Sequence, residues 1–147
     1  MSSKTAIDVD FTGQWKCTGQ ENMEEFVKKG MDGGFLQRNA AWMTGYGVGK
    51  TVLNIDHDGN NFSTVMNGPK GDVENDIVVG EKGTIKTPMG KEQEAESEWV
   101  RNGTALRIVI GGDLETVRYI NDDGELVIEV TRNGITGKRI FTKQTGK

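Results

Sequence analysis

The sequence predicts an all-β fold: a ten-stranded antiparallel up-and-down barrel with a helix-turn-helix lid after the first strand. Two observations carry this. Turn signals recur roughly every ten residues past residue 49, and the segments between them are rich in Val, Ile and Thr with apolar and polar positions alternating. Helical spacing is confined to one stretch between the first strand candidate and residue 49.

The elements follow in order. Gly13 to Gly19 is the first strand candidate. Met23, Phe26 and Val27 recur at i, i+3, i+4 within Asn22 to Lys29, and Gly30 is a natural stop. Asp32 offers an N-cap to a second helical segment, Gly33 to Met43, with Phe35, Leu36, Asn39, Ala40 and Met43 near one stripe. Two helices this short cannot build a bundle core, but they can cap an open barrel end. Turns are then expected at His57–Asn60, Pro69–Asp72, Gly80–Gly83, Pro88–Gly90, Asn102–Gly103, Gly111–Asp113, Asp122–Gly124 and Asn133–Gly134. They divide residues 49 to 143 into nine short segments.

The faces of those segments are legible. Glu92, Glu94, Glu96 and Glu98 share one side of a strand, and Gln93, Ala95, Ser97 and Trp99 share the other. Leu106, Ile108 and Ile110 form an apolar face, as do Leu126, Ile128 and Val130 with Glu129 opposite. A sheet with one apolar face and little helix to cover it must close on itself.

Composition excludes several function classes. The chain has 147 residues, 34% hydrophobic and 27% charged, with a net charge of -4, which suits one folded domain rather than a disordered one. No apolar run approaches a membrane span. Met1 to Asp10 contains no apolar signal-peptide core, and a single cysteine, Cys17, rules out an intramolecular disulfide. A cytoplasmic location is therefore expected. With pI near 5.1 and both signs dispersed, no nucleic-acid footprint is present.

Motifs that resemble catalytic or metal chemistry lack essential parts. Thr44–Thr51 approaches a P-loop, but Thr44 stands where the first glycine is required, and helix precedes strand. Asp56, Asp58 and Asn60 imitate a calcium loop, yet Asn61 replaces its glycine and Asn67 its bidentate glutamate. His57, the one histidine, is read in a turn without a second metal ligand or triad partner. Cys17 has no His or C-x-x-C companion and reads as a buried structural thiol. No cofactor, metal or enzymatic activity is expected.

The end of the chain is more informative. Parity puts Arg118 with Leu114, Thr116 and Ile120, and Arg139 with Ile135 and Phe141. Both arginines share a face with apolar residues, although periodicity alone leaves an outward orientation open. Inside a barrel, two cations without an anion or water would cost several kcal/mol each. Such a pair suits a carboxylate ligand held by charge-assisted bonds.

Phe11–Lys16 followed by Glu21–Asn22–Met23, together with Gly134–Phe141 and Val79–Gly80–Glu81, resembles the intracellular lipid-binding proteins, over about residues 11 to 143. The resemblance implies a ten-stranded β-clam with a helix-turn-helix lid after the first strand. It sets residues 1–10 apart as an N-terminal extension and makes 11–147 one lipid-binding domain. It also implies that Arg118 and Arg139 bind a ligand carboxylate, with Phe141 in the place of the usual tyrosine and without its hydroxyl. The ligand is then a hydrophobic small molecule: a fatty acid, a retinoid or a bile-acid-like compound. Ile108, Ile110, Ile128, Val130, Met66, Met89 and Phe141 are the expected lining. Phe26, Val27, Met31 and Phe35 are expected at the portal. A monomer is expected. Lys28, Lys29 and Arg38 on the lid suit either a solvated helix face or transient contact with anionic membranes. Two rivals share the barrel: a small coelenterazine-type luciferase, which the tail from Ile120 to Arg139 also resembles, and a protein-interaction module with a vestigial cavity.

Overall fold

The computed structural model describes residues 9–26, 51–67, 72–86 and 92–144. They contain β1 (Gly13–Glu21), a helical turn α1 (Met23–Glu25), β2 (Val52–Asp58), β3 (Asn61–Met66), β4 (Val73–Val78), β5 (Gly83–Lys86), β6 (Glu92–Val100), β7 (Ala105–Ile110), β8 (Leu114–Ile120), β9 (Leu126–Arg132) and β10 (Ile135–Lys143). The sheet order is β4-β3-β2-β1-β10-β9-β8-β7-β6-β5 and each described pairing is antiparallel. This is the expected up-and-down barrel, nearly closed, with β4 and β5 at the two ends of the order. Of the expected lid only its first turn, α1 with Phe26, is described. The rest of Asn22–Lys29 and all of Gly33–Met43 lie outside the described residues, and so do Val27, Met31, Phe35, the lid cations and Met89.

Alternation holds as the sequence predicts. In β6 the four glutamates are exposed while Ala95 and Ser97 are buried, and Leu106, Ile108 and Ile110 of β7 are buried. The outer face is tied by charge: Arg107 is ion-paired with Glu98 across one strand boundary and with Glu115 across the other. Asn133 and Gly134, at φ 54° and 78°, form the two-residue loop that joins Arg132 to Ile135. Positive φ at both central residues is what matches such a loop to the twist of the strands.

β1 turns a corner of the barrel. Gly13–Lys16 pairs with β2, Trp15–Glu21 pairs with β10, and the register shifts between Cys17 and Gly19. The extra residue, Thr18, bends the strand, and its hydroxyl meets that of Thr142 at 2.7 Å.

Aromatic side chains fill the base. Phe11, fully buried, stacks on Trp99 with centroids 6.5 Å apart and meets Phe62 edge-on at 5.8 Å. His57 belongs to this group. The sequence places it in a turn, but β2 runs through Asp58, and His57 is buried on the same face as Leu53 and Ile55. Its Nδ1 faces the Phe11 N–H at 3.2 Å and must accept, so Nε2 carries the proton and donates to the Gly59 carbonyl at 2.9 Å. Two further bonds between His57 backbone and the Thr12 hydroxyl fasten the segment before β1 to β2. Val9 packs on the core, and the Asp10 carboxylate accepts the Thr12 N–H.

At the opposite end α1 rests on β10. Met23 and Phe26 are buried against Leu114, Val130 and Ile135. Gly137 makes the close approach possible: a Cβ there would lie 2.7 Å from Met23 Sδ, 3.1 Å from Phe26 Cβ and 3.3 Å from the Asn22 carbonyl oxygen. Gly137→Val is therefore expected to cost about 1–3 kcal/mol through overpacking, measured by urea unfolding. An unchanged midpoint would show that α1 does not depend on this seat.

Candidate ligand-binding site

The inner wall of β6–β10 carries a row of side chains in register: Trp99, Leu106, Arg118, Ile128 and Arg139. Ile128 is the cross-strand neighbour of both arginines. With neighbouring strands about 4.8 Å apart, the two arginine backbones stand roughly 10 Å from each other along the wall. Ser97, Ile108, Thr116, Val130 and Gly137 form the next row toward α1, and Ile120, Leu126 and Phe141 the next row toward the base.

Arg118 points into the barrel. Its guanidinium carbon lies 5.5 Å from the centroid of Phe62 on β3, so the side chain reaches across to another part of the wall. It is largely enclosed by protein. Its Nε is buried with no hydrogen-bond partner, and no carboxylate pairs with it among the described residues. Burial alone pulls its pKa down to about 10.

Arg139 is held differently. Its guanidinium lies 5.4 Å from the Phe141 ring and donates from Nη2 to the Thr51 hydroxyl at 2.7 Å. Burial lowers its pKa, opposed by the neighbouring Cys17. Arg139 thereby braces the start of β2, where the Thr51 carbonyl also accepts the Cys17 N–H.

The predicted lining is distributed around the barrel, with Met66 on β3 and the others on β7, β9 and β10. Ile108, Ile110 and Phe141 are buried, and Met66 and Ile128 are half-buried against the same core. Val130 belongs to the α1 end, beside Phe26. The sequence reading did not single out Phe62, Thr51, Ser97 or Thr116. Phe62 shares parity with Met66 and could have been named by that signal; Thr51 could not, because its role depends on a partner 88 residues away. Among the described residues no group of three or more His, Cys, Asp or Glu side chains could hold a metal ion.

No protein-family model matches the chain. It is 30% identical over 140 residues to the intestinal fatty acid-binding protein of Bos taurus, covering 91% of this chain and 98% of that one. The chain belongs to the intracellular lipid-binding protein family. Another member, fatty acid binding protein 1-B.1 of Danio rerio, is 28% identical over 134 residues, covering 90% of this chain and 96% of the relative. The family fold is matched by zebrafish ileal bile acid-binding protein complexed with cholic acid, at TM-score 0.71 and 24% identity over 91% of this chain and 98% of that chain. Human cRBP IV matches at TM-score 0.71 and 19% identity, over 93% of this chain and all of its own.

Proposed function

We propose that the chain is a non-catalytic carrier that binds a fatty acid, or a similar amphiphile with an anionic head, inside the barrel. The observation that carries this is Arg118, a cation within the barrel of a family whose relatives are named for fatty acids, with no carboxylate partner among the described residues. Arg118 takes the head group, and Arg139, seated one strand beyond Ile128, supports it from β10. Each methylene of the tail buried against the apolar wall contributes about 0.8 kcal/mol, so the tail supplies most of the affinity and the arginines orient the ligand. Phe141 gives that site an apolar ring where a hydroxyl would have offered one more hydrogen bond. Part of the same proposal are a helix-turn-helix lid over Asn22–Met43, a monomeric cytoplasmic carrier and transient membrane contact through the lid.

The test is displacement of a fluorescent apolar probe from delipidated protein by oleate and by oleyl alcohol. Oleate should compete better, and Arg118→Gln should weaken oleate roughly tenfold to a hundredfold while leaving the alcohol nearly unchanged. Arg139→Gln should show a smaller contrast, since it also releases Thr51. Equal losses for acid and alcohol would remove the arginines from the site. No displacement by either would overturn the fatty-acid reading.

A further inference from the structure

One hydroxyl on the inner wall has no partner. Ser97 of β6 stands on the inner face of its strand between Ala95 and Trp99, with Ile108 of β7 opposite it. Only 8% of its surface is exposed, and among the described residues its Oγ is the one hydroxyl oxygen buried without a hydrogen bond. Thr116 shows how the same wall satisfies a structural hydroxyl. It stands one strand beyond Ile108, is also buried, and donates to the Ile108 carbonyl at 3.3 Å. The Ser97 carbonyl, likewise, accepts the Gly80 N–H at 3.0 Å, so the deficit belongs to the side chain alone. A buried hydroxyl without a partner has given up its bond to water for nothing, and alanine would serve the empty fold better. Ser97 is thus polar in an apolar neighbourhood for a reason that the packing does not supply.

We propose that Ser97 is a second polar subsite of the cavity and hydrogen-bonds an oxygen carried on the hydrocarbon body of the ligand. This rests on the carrier reading above and narrows it: the cargo is a fatty acid with a hydroxyl or a ketone at mid-chain. The register sets the place of that oxygen. Leu106 pairs with Arg118, while Ser97 pairs with Ile108, one row closer to α1. Two strands across and two residues along, the Ser97 backbone stands roughly 12 Å from that of Arg118. An acyl chain with its carboxylate at Arg118 and its tail toward α1 passes Ser97 in mid-course. Ala95 and Ile108 have no side-chain donor, and the Trp99 indole N–H is taken by Asn60 at 2.9 Å. Of these four side chains Ser97 is the one able to answer an oxygen there.

The experiment measures displacement of a fluorescent apolar probe by stearate and by stearates carrying a hydroxyl or a ketone at carbon nine, ten or twelve. The parent should bind at least one oxygenated acid about threefold to tenfold more tightly than stearate. Ser97→Ala should erase that preference, lowering the affinity of the oxygenated acid relative to stearate by the same factor. Urea unfolding without ligand runs in parallel, and the variant's midpoint should equal or exceed the parent's, because no bond within the protein is lost. A lower midpoint, or failure to fold, would show that the hydroxyl already has a structural partner and would overturn the subsite. A preference that survives in Ser97→Ala would overturn it as well. If the parent binds stearate and shows no preference, the carrier stands and the subsite falls. If it binds none of these acids, the carrier reading fails first and the subsite with it.

Discussion

Arg118→Met is expected to make the ligand-free protein more stable by about 1–3 kcal/mol while abolishing its preference for acids. Arg118 is a guanidinium buried in the barrel with no carboxylate partner among the described residues, and burial lowers its pKa to about 10. Desolvation disfavours the charged form, so the ligand-free fold hosts the cation at a cost. A methionine of similar length fills the space with no charge to desolvate. The pH dependence has a definite sign. Above about pH 10 the folded chain releases a proton that the unfolded chain still holds, so the parent gains stability as pH rises further. Below pH 10 the deficit is full and flat. Urea unfolding of parent and variant at neutral pH, each without ligand, checks the first part. A destabilised variant would mean that the fold already compensates Arg118, leaving no vacancy for an anion. Oleate bound to the parent should reverse the order of stability, since the ligand stabilises only the folded state that it occupies.

Phe11→Ala is expected to cost more, about 3–5 kcal/mol. Phe11 has no exposed surface and touches Trp99, Phe62 and His57 at the base. Its backbone N–H donates to His57, and its carbonyl accepts the Trp15 indole N–H at 2.9 Å. The substitution can keep both bonds but leaves a ring-sized void adjoining the lumen, where strands cannot collapse without breaking ladders. Because Phe62 is also the ring over which Arg118 lies, loosening the base should reach the ligand site. Acid and alcohol affinities should then fall together, unlike the selective loss at Arg118. A cost under about 1 kcal/mol would show that the base repacks around the void.

The strands were legible because a half-buried strand writes its burial into alternate residues. Glu92–Trp99 and Leu106–Ile110 needed no partner to be assigned their faces, and the same parity set Arg118 and Arg139 with apolar neighbours. His57 was misread because the Asp58–Asn60 turn signal was extended one residue too far, although Leu53 and Ile55 already gave its face. The register shift at Thr18 left no mark, since a bulge depends on which strand lies opposite. Carboxylate recognition by Arg118 was suggested by residue type and resemblance, whereas the difference between an Arg118 with no carboxylate partner and an Arg139 bound to Thr51 required the packed side chains.

The corner-turning strand β1 also sets the order in which the barrel can form. It pairs with β10, and residues as far apart as Thr18 and Thr142 meet across that pairing, 124 positions along the chain. During synthesis β1 emerges first among the ten strands and its partner last. Trp15, Cys17 and the inner edge of the sheet must therefore wait, uncovered, while everything between them is translated. Contacts of this span make folding slow, because loop closure precedes any return from the ladder. Ring closure at β1–β10 becomes the late, committing step, and the growing chain is most exposed to aggregation and to chaperones just before its final strand arrives.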